Sequence, residues 1–364
     1  MDIIAHYEPL LKQYEKDDGL VILEAEEEPG TKVGENYMSV VIRTRITGKR
    51  GNGSPYRKAF MRKMLPQNSL FAKICNSNEL FRNEAYFYEK IIPHLGPFGP
   101  DCLLAQPEEI IMEDLGARDF KIYPRRKMLD LEHCLAVVQT LASMHASSLN
   151  LKLKSPEKFH ELVAPLYEII ARKDDNYSLG ILYEGGLKFA LLSMESIEER
   201  TPEVERATNF LRGYCDKVMD VMTELLTPST DNGRYWVITH GDTWNNNILF
   251  LHDAQGKVAQ VKLVDFQVTR HASATFDFIY FVYASARLEV LQNNIDELID
   301  TYEQFFIRDL RKLDAPNHDL EVLARPGWFK DEIRHYGLFG FFGALIVIHA
   351  MFAEEDKTMD LVDP

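Results

Sequence analysis

The residues best suited to chemistry lie at 237–250, VITHGDTWNNNILF. Two apolar runs, Trp236-Val237-Ile238 and Ile248-Leu249-Phe250, enclose a polar loop, His240-Gly241-Asp242-Thr243-Trp244-Asn245-Asn246-Asn247. That pattern predicts a strand, a loop and a second strand. Fifteen residues past Phe250 stands Asp265, on a further apolar strand expected over 261–267. An Asp, an Asn five residues on and a second Asp on a following strand make the set that phosphoryl transfer requires. Asp242 is the candidate base, accepting the proton of an incoming hydroxyl and aiming its oxygen at phosphorus. The Asn247 carboxamide and the Asp265 carboxylate are candidate ligands for the Mg²⁺ carried by ATP, a hard cation that takes oxygen donors. Asn245 and Asn246 are less well placed by that count. The plainer alternative is a turn followed by a cap, since Asp, Asn and Gly are ordinary turn residues. The flanking strands and the second Asp favour the chemical reading.

Those residues need a scaffold on both sides. Helical periodicity runs over 2–17, and strands are expected over 20–25, 37–46 and 57–65, with turn-rich connectors at 26–34 and 49–56. This is an antiparallel meander. Gly34 and Asn36 fall between the first two strands, where backbone amides can approach phosphates; a plain hairpin turn is the alternative. Lys63 stands in the third strand, otherwise largely apolar, where an amine needs a partner. Glu84, on a helix expected over 80–88, is the best partner, and together they would present an ammonium to the α- and β-phosphates. Strand alternation admits only one of Arg62 and Lys63 to that side, and Lys63 is favoured. Residues 93–107 read as a Pro/Gly loop and 109–112 as a strand running into a hinge, Glu113-Asp114-Leu115-Gly116. Met112 would wall an adenine, while the Glu113 carbonyl and the Leu115 amide would bond its edge.

From Asp119 onward the pattern turns helical, with helices expected over 129–149, 156–171, 186–196, 204–226, 274–281, 294–313 and 328–353. His145, alone on its helix, reads as structural. Asp277, at a helix start, could brace the loop backbone.

The chain has 364 residues, 46% hydrophobic and 27% charged. That is an ordinary globular composition. Its net charge of −15 argues against nucleic acid and anionic membranes as partners. Four scattered cysteines without a close pair suggest neither zinc nor a disulfide framework, and a reducing compartment. The N-terminus lacks the features of a signal peptide, and the longest apolar run, 338–352, is short for a membrane span, so a cytoplasmic location is expected. The sequence carries no signal for oligomeric state.

The motifs now in hand are Gly34-Glu35-Asn36-Tyr37, Lys63-Met64-Leu65-Pro66, Glu84 with Phe87-Tyr88, Glu113-Asp114-Leu115, Leu141-Ala142-Ser143-Met144-His145-Ala146, the loop from His240 to Asn247, and Asp265-Phe266-Gln267. As a set they resemble the ecdysteroid-kinase-like family of arthropods, in the choline-kinase and aminoglycoside-phosphotransferase branch of the protein-kinase-like fold. Trp244 and Gln267 favour that family over choline kinases. The resemblance implies a bilobal α+β fold, with a small antiparallel-sheet N-lobe over 1–115 and a mainly helical C-lobe over 116–364. It also implies ATP- and Mg²⁺-dependent phosphorylation of a small-molecule hydroxyl, an ecdysteroid or a similar hydroxylated compound. Gln267 replaces the glycine of the protein-kinase Asp-Phe-Gly motif, and Gly241 the arginine of His-Arg-Asp, which fits a kinase without activation-loop control. The chain ends at Asp363-Pro364, somewhat early for that family, which leaves the completeness of the C-lobe open. The competing readings are a choline-, ethanolamine- or aminoglycoside-type kinase, and a non-catalytic nucleotide-binding module. The aromatic residues Tyr280, Phe281, Tyr283, Phe339, Phe341 and Phe342 read first as core.

Overall fold

A computed structural model of the chain describes residues 2–30, 39–65, 77–166, 168–171, 180–226 and 233–352, the side chains of 349–352 excepted. Helix α1 (Ile3–Glu15) starts where Asp2 accepts the Ala5 amide and stops where Lys16 turns left-handed, at φ 53°. A side-chain acceptor at the start and a left-handed residue at the end are the usual ways to satisfy a helix's terminal amides and carbonyls. Its buried Tyr7 and Leu11 pack on a sheet through Leu20, Ile22, Ile46 and Phe60. That sheet holds β1 (Val21–Pro29), β2 (Val40–Lys49), β3 (Pro55–Met64), β4 (Cys102–Gln106) and β5 (Glu109–Glu113), in the order β1-β2-β3-β5-β4. Every pairing is antiparallel. The N-terminal part is thus an antiparallel sheet with a helix packed on it, as expected for the smaller lobe.

Strand β4 corrects the expectation of a loop over 93–107. It has only five residues, between prolines and glycines, and β5 is its one partner in the sheet, so turn chemistry hid it. Strand β3 lies between β2 and β5, so both of its adjacent cations are buried, on opposite faces. Arg62 meets Glu109 and, at 3.5 Å, Glu27. Lys63 faces α2 (Ser77–Tyr86), a helix that continues through a π-helical turn, Phe87–Ile91, into the short α3 (Ile92–Leu95).

Beyond Arg118 the chain is largely helical. The long α4 (Leu131–Lys154) is capped by Asp130, which accepts the His133 amide, and it buries Val137, Val138, Leu141 and Leu149 in the main core. The next helix, α5 (Pro156–Val163), ends before Pro165 rather than running to residue 171, because a proline biases the residue before it away from helical backbone. Helix α6 (Gly180–Glu195) starts earlier than expected. The single helix expected over 204–226 is two, α7 (Pro202–Arg212) and α8 (Val218–Leu225), interrupted near Gly213.

Three short strands, β6 (Lys121–Ile122), β8 (Ile248–His252) and β9 (Val258–Leu263), form one sheet; β7 (Trp236–Thr239) and β10 (Arg270–Ser273) form an antiparallel ribbon. Helix α9 (Thr275–Ser285) follows, then α10 (Leu288–Asn293), α11 (Ile295–Lys312), α12 (Asn317–Leu323) and α13 (Trp328–Phe352). Helix α13 packs along α9, with Phe276 and Phe339 stacked at 3.9 Å between centroids. The apolar run near its end is therefore largely a packing face. Among the described residues, no helix is long and apolar enough to cross a membrane.

Candidate active site

The loop between β7 and β8 is built on buried hydrogen bonds. Asp277, in the first turn of α9, accepts the His240 amide through Oδ2 at 2.7 Å and the Gly241 amide through Oδ1 at 2.8 Å. Its backbone carbonyl takes the Thr243 hydroxyl at 2.8 Å. Burial would raise the Asp277 carboxyl, but His145 and the Gly241 amide help to outweigh it and hold it low. His145 sits between Asp277 Oδ2 (3.0 Å) and Tyr302 Oη (2.8 Å), a fully buried prop. Both expectations, the brace and the structural histidine, are met.

Gly241 is required by its backbone. Its φ is +88°, and a Cβ there would lie 2.1 Å from the Val268 carbonyl oxygen. Only glycine takes that conformation without strain and leaves the space empty. His240 is buried against Phe266, and burial lowers its pKa. The Asp242 amide donates to His240 Nδ1 at 3.2 Å. The ring proton therefore sits on Nε2 and points at the Val264 carbonyl, 2.9 Å away. The bond at one ring nitrogen sets the tautomer at the other. Thus one neutral imidazole ties the loop to the segment that carries Asp265.

Asp242 has a donor on each carboxylate oxygen. Tyr280 Oη reaches Oδ1 at 2.7 Å, and Asn247 Nδ2 reaches Oδ2 at 2.8 Å. Burial, with Asp265 adding repulsion, pushes the Asp242 carboxyl up to about 6 against those donors. Asn247 also donates to the Asp242 carbonyl at 2.9 Å, while its own carbonyl accepts the Val264 amide at 3.0 Å. Asn245 instead bonds the Tyr123 carbonyl and Ser285, a structural use.

Asp265 does not lie on a strand. Strand β9 ends at Leu263, and Asp265 adopts φ 68°. This left-handed backbone, uncommon outside glycine, turns its side chain out of the sheet. The pleated pattern was right in its position and wrong in its conformation. Lys63 Nζ lies 2.7 Å from Asp265 Oδ1 and 2.6 Å from Glu84 Oε2. Burial alone would lower the Lys63 ammonium, but the two carboxylates outweigh it and hold it raised. Burial raises the Glu84 carboxyl, with Lys63 opposing.

Two contacts anchor this cluster to α2 and the π-helical turn that follows it. Asn83 Nδ2 donates to the Gln267 and Thr269 carbonyls, each at 3.0 Å, and Phe87 stacks on Phe266 at 3.9 Å. Met112 is buried in β5. The Glu113 amide is bonded to the Asp101 carbonyl at 2.8 Å. Leu115 opens a short 3₁₀ turn capped by Asp114, whose carboxylate also holds Arg43 at 2.7 Å. Gly34 and Asn36 lie outside the described residues.

The donor set fits a nucleotide and its metal. Mg²⁺ held on phosphates needs one or two protein carboxylates, and its other ligands are phosphate and water. Asp265 is about one-quarter exposed (28%), and Asn247, through its bond to Val264, stands beside the same segment. Among the described residues no group of three or more His, Cys, Asp or Glu side chains could hold a metal by itself.

Beside Asp242 opens a cavity of about 230 Å³, walled by Leu182, Val268, Phe276, Phe339 and Ile346. Its polar lining includes Tyr183, Arg270 and Tyr280. A groove of about 310 Å³ between Tyr86 and Pro165, rimmed by Glu89, Lys90, Lys158 and Glu161, involves none of these residues. The sequence reading missed Tyr280, Asn83, Arg270 and Glu168 as site residues. Only Tyr280 left a signal, being three residues past Asp277 and so on the same face of α9.

Residues 33–315 match the model of the ecdysteroid kinase-like family. No curated protein matches the chain. Among solved structures, the apoenzyme of macrolide 2'-phosphotransferase MphH from Brachybacterium faecium matches at 11% identity and a TM-score of 0.38. That match covers 93% of this chain and 97% of the other. By the extent of its family match, the chain belongs to the ecdysteroid kinase-like family.

Proposed function

We propose that this protein is an ATP- and Mg²⁺-dependent kinase that phosphorylates a hydroxyl of an ecdysteroid or a similar hydroxylated apolar compound. One observation supports the reading: Asp242, held on both oxygens, lines an apolar cavity, while Lys63 joins Glu84 and Asp265 in a charged cluster near it. Asn247 and Asp265 would hold the metal, Lys63 the phosphate chain, and Met112, Glu113 and Leu115 the adenine. Bound Mg²⁺–ATP supplies the phosphoryl group and neutralises the charge that develops on it. Asp242 takes the hydroxyl proton on a carboxylate oxygen, and Tyr280 and Asn247 fix which way that oxygen points. The apolar wall excludes water that would otherwise compete with the alcohol.

The test is ATP consumption with Mg²⁺ against ecdysteroids, other hydroxylated sterols, phenols, choline and ethanolamine, with mass spectrometry for an added phosphate. A phosphorylated steroid is the expected result. Phosphorylated choline or ethanolamine would move the protein to a cationic acceptor. Tight Mg²⁺–ATP binding with no phosphorylated product would favour a non-catalytic nucleotide-binding module.

A further inference from the structure

We propose that Arg270 determines acceptor specificity: the acceptor carries a second, uncharged oxygen, remote from the phosphorylated hydroxyl, that takes a hydrogen bond from the Arg270 guanidinium. The proposal rests on the kinase reading above and narrows its substrate class.

Arg270 is 5% exposed and lines the cavity that Asp242 faces. Its place is set by the β7–β10 ribbon, where it pairs with Thr239, three residues before Asp242. The guanidinium carbon lies 5.2 Å from the centre of the Phe339 ring, and the Tyr183 hydroxyl is a side-chain hydrogen-bond partner of the guanidinium. An arginine buried in an apolar wall is costly without a counter-charge. Glu168 supplies one, with Oε2 3.0 Å from Arg270 Nε. That contact is an ion pair without hydrogen-bond geometry, and neither atom has a hydrogen-bond partner among the described residues. The other Glu168 oxygen is committed, accepting the Ile170 and Ala171 amides at 2.7 Å each. The carboxylate therefore balances the charge of Arg270 from the Nε side, and the guanidinium's five N–H donors outnumber what that one oxygen and the Tyr183 hydroxyl can accept among the described residues.

Charge balance selects the ligand atom. A cationic acceptor would meet a guanidinium already neutralised by Glu168, with Asp242 its remaining attraction. An anionic acceptor would add a third negative charge to Glu168 and Asp242 in an apolar cavity. A ketone or hydroxyl oxygen satisfies the guanidinium at no such cost, and an acceptor without it leaves the fork desolvated and short of a partner.

The experiment measures binding apart from turnover. Equilibrium dialysis uses two probes, a saturated steroid alcohol with a ketone on the ring farthest from its hydroxyl and the same steroid without the ketone. Mg²⁺ and a non-hydrolysable ATP analogue are present throughout. The wild-type protein should bind the ketone form roughly 10- to 100-fold more tightly, the span expected of a hydrogen bond to a charged donor. In Arg270→Met combined with Glu168→Gln, which leaves no unpaired buried charge, that preference should vanish while the parent alcohol still binds. Arg270→Lys, which keeps the charge and loses the fork, should show an intermediate preference. Equal affinity of the wild type for both probes, a preference that survives the double substitution, or failure of both probes to bind would overturn the proposal. Absence of phosphate transfer to either probe, with the ketone preference intact, would instead count against the kinase reading.

Discussion

Asp242 is held from both sides by donors that do not themselves titrate near neutrality, so its direction is fixed before any acceptor arrives. Asp242→Asn keeps the shape and removes the acceptor of the hydroxyl proton. Turnover should fall roughly 10²- to 10⁴-fold, the usual share of a general base, with the affinity for Mg²⁺–ATP nearly unchanged. Steady-state kinetics beside a nucleotide titration checks this; an equal loss of nucleotide affinity would remove Asp242 from the base role. The residues of this kind that were legible in the sequence share one property, a local signature. Asp242 and Asn247 stand at fixed spacing inside one loop, and Lys63 is one of two adjacent cations at the apolar end of a strand, of which pleating admits one to each face. Arg270 and Glu168 were not legible, because each looks like an ordinary surface charge until the fold brings together two residues 102 positions apart.

The elements that position these residues were legible where periodicity was long and opaque where it was short. The meander β1 to β3 and the helices α4, α11 and α13 announce themselves, whereas β4, β6 and β10 span two to five residues each. Yet β10 is the strand that places Arg270, and its neighbour His271 reports on the same ribbon. His271 packs edge-on to Trp236 and Phe159. Burial, with the nearby Lys152 ammonium adding to it, pushes the imidazole down to about 4. Its folded pKa is thus below the unfolded value of 6.5, so the unfolded chain binds a proton that the folded ribbon refuses. The stabilisation is fully present above 6.5 and is lost as pH falls from there toward 4. A shift of that size is worth about 3 kcal/mol in all. His271→Gln removes the titration and should flatten the fall in stability between those limits. Urea unfolding across that pH range measures it, and an unchanged slope would mean that other groups set the acid limit of the fold.

Over the whole molecule the net charge is −15, and the candidate acceptor cavity does not share that character. Its wall is largely apolar, Asp242 is the carboxylate that lines it among the described residues, and Glu168 behind Arg270 is already paired with that residue. These two scales make opposite demands on a cationic acceptor. The global field would draw it in from solution, speeding encounter in a manner that salt suppresses, while the cavity would offer it little once inside. A neutral alcohol feels neither effect. Its kcat/KM, measured with Mg²⁺–ATP saturating, should therefore change by less than about twofold between about 25 and about 300 mM KCl, over which the screening length shrinks from roughly 20 to roughly 6 Å. For a cationic acceptor on a chain of this charge the same titration should lower kcat/KM by roughly tenfold. The salt series thus separates the two acceptor classes through the rate of encounter, without requiring that the natural acceptor be known. A steep fall with salt for the best alcohol found would show that charge steering governs its encounter and would sink the neutral-acceptor reading, whatever the chemistry at Asp242.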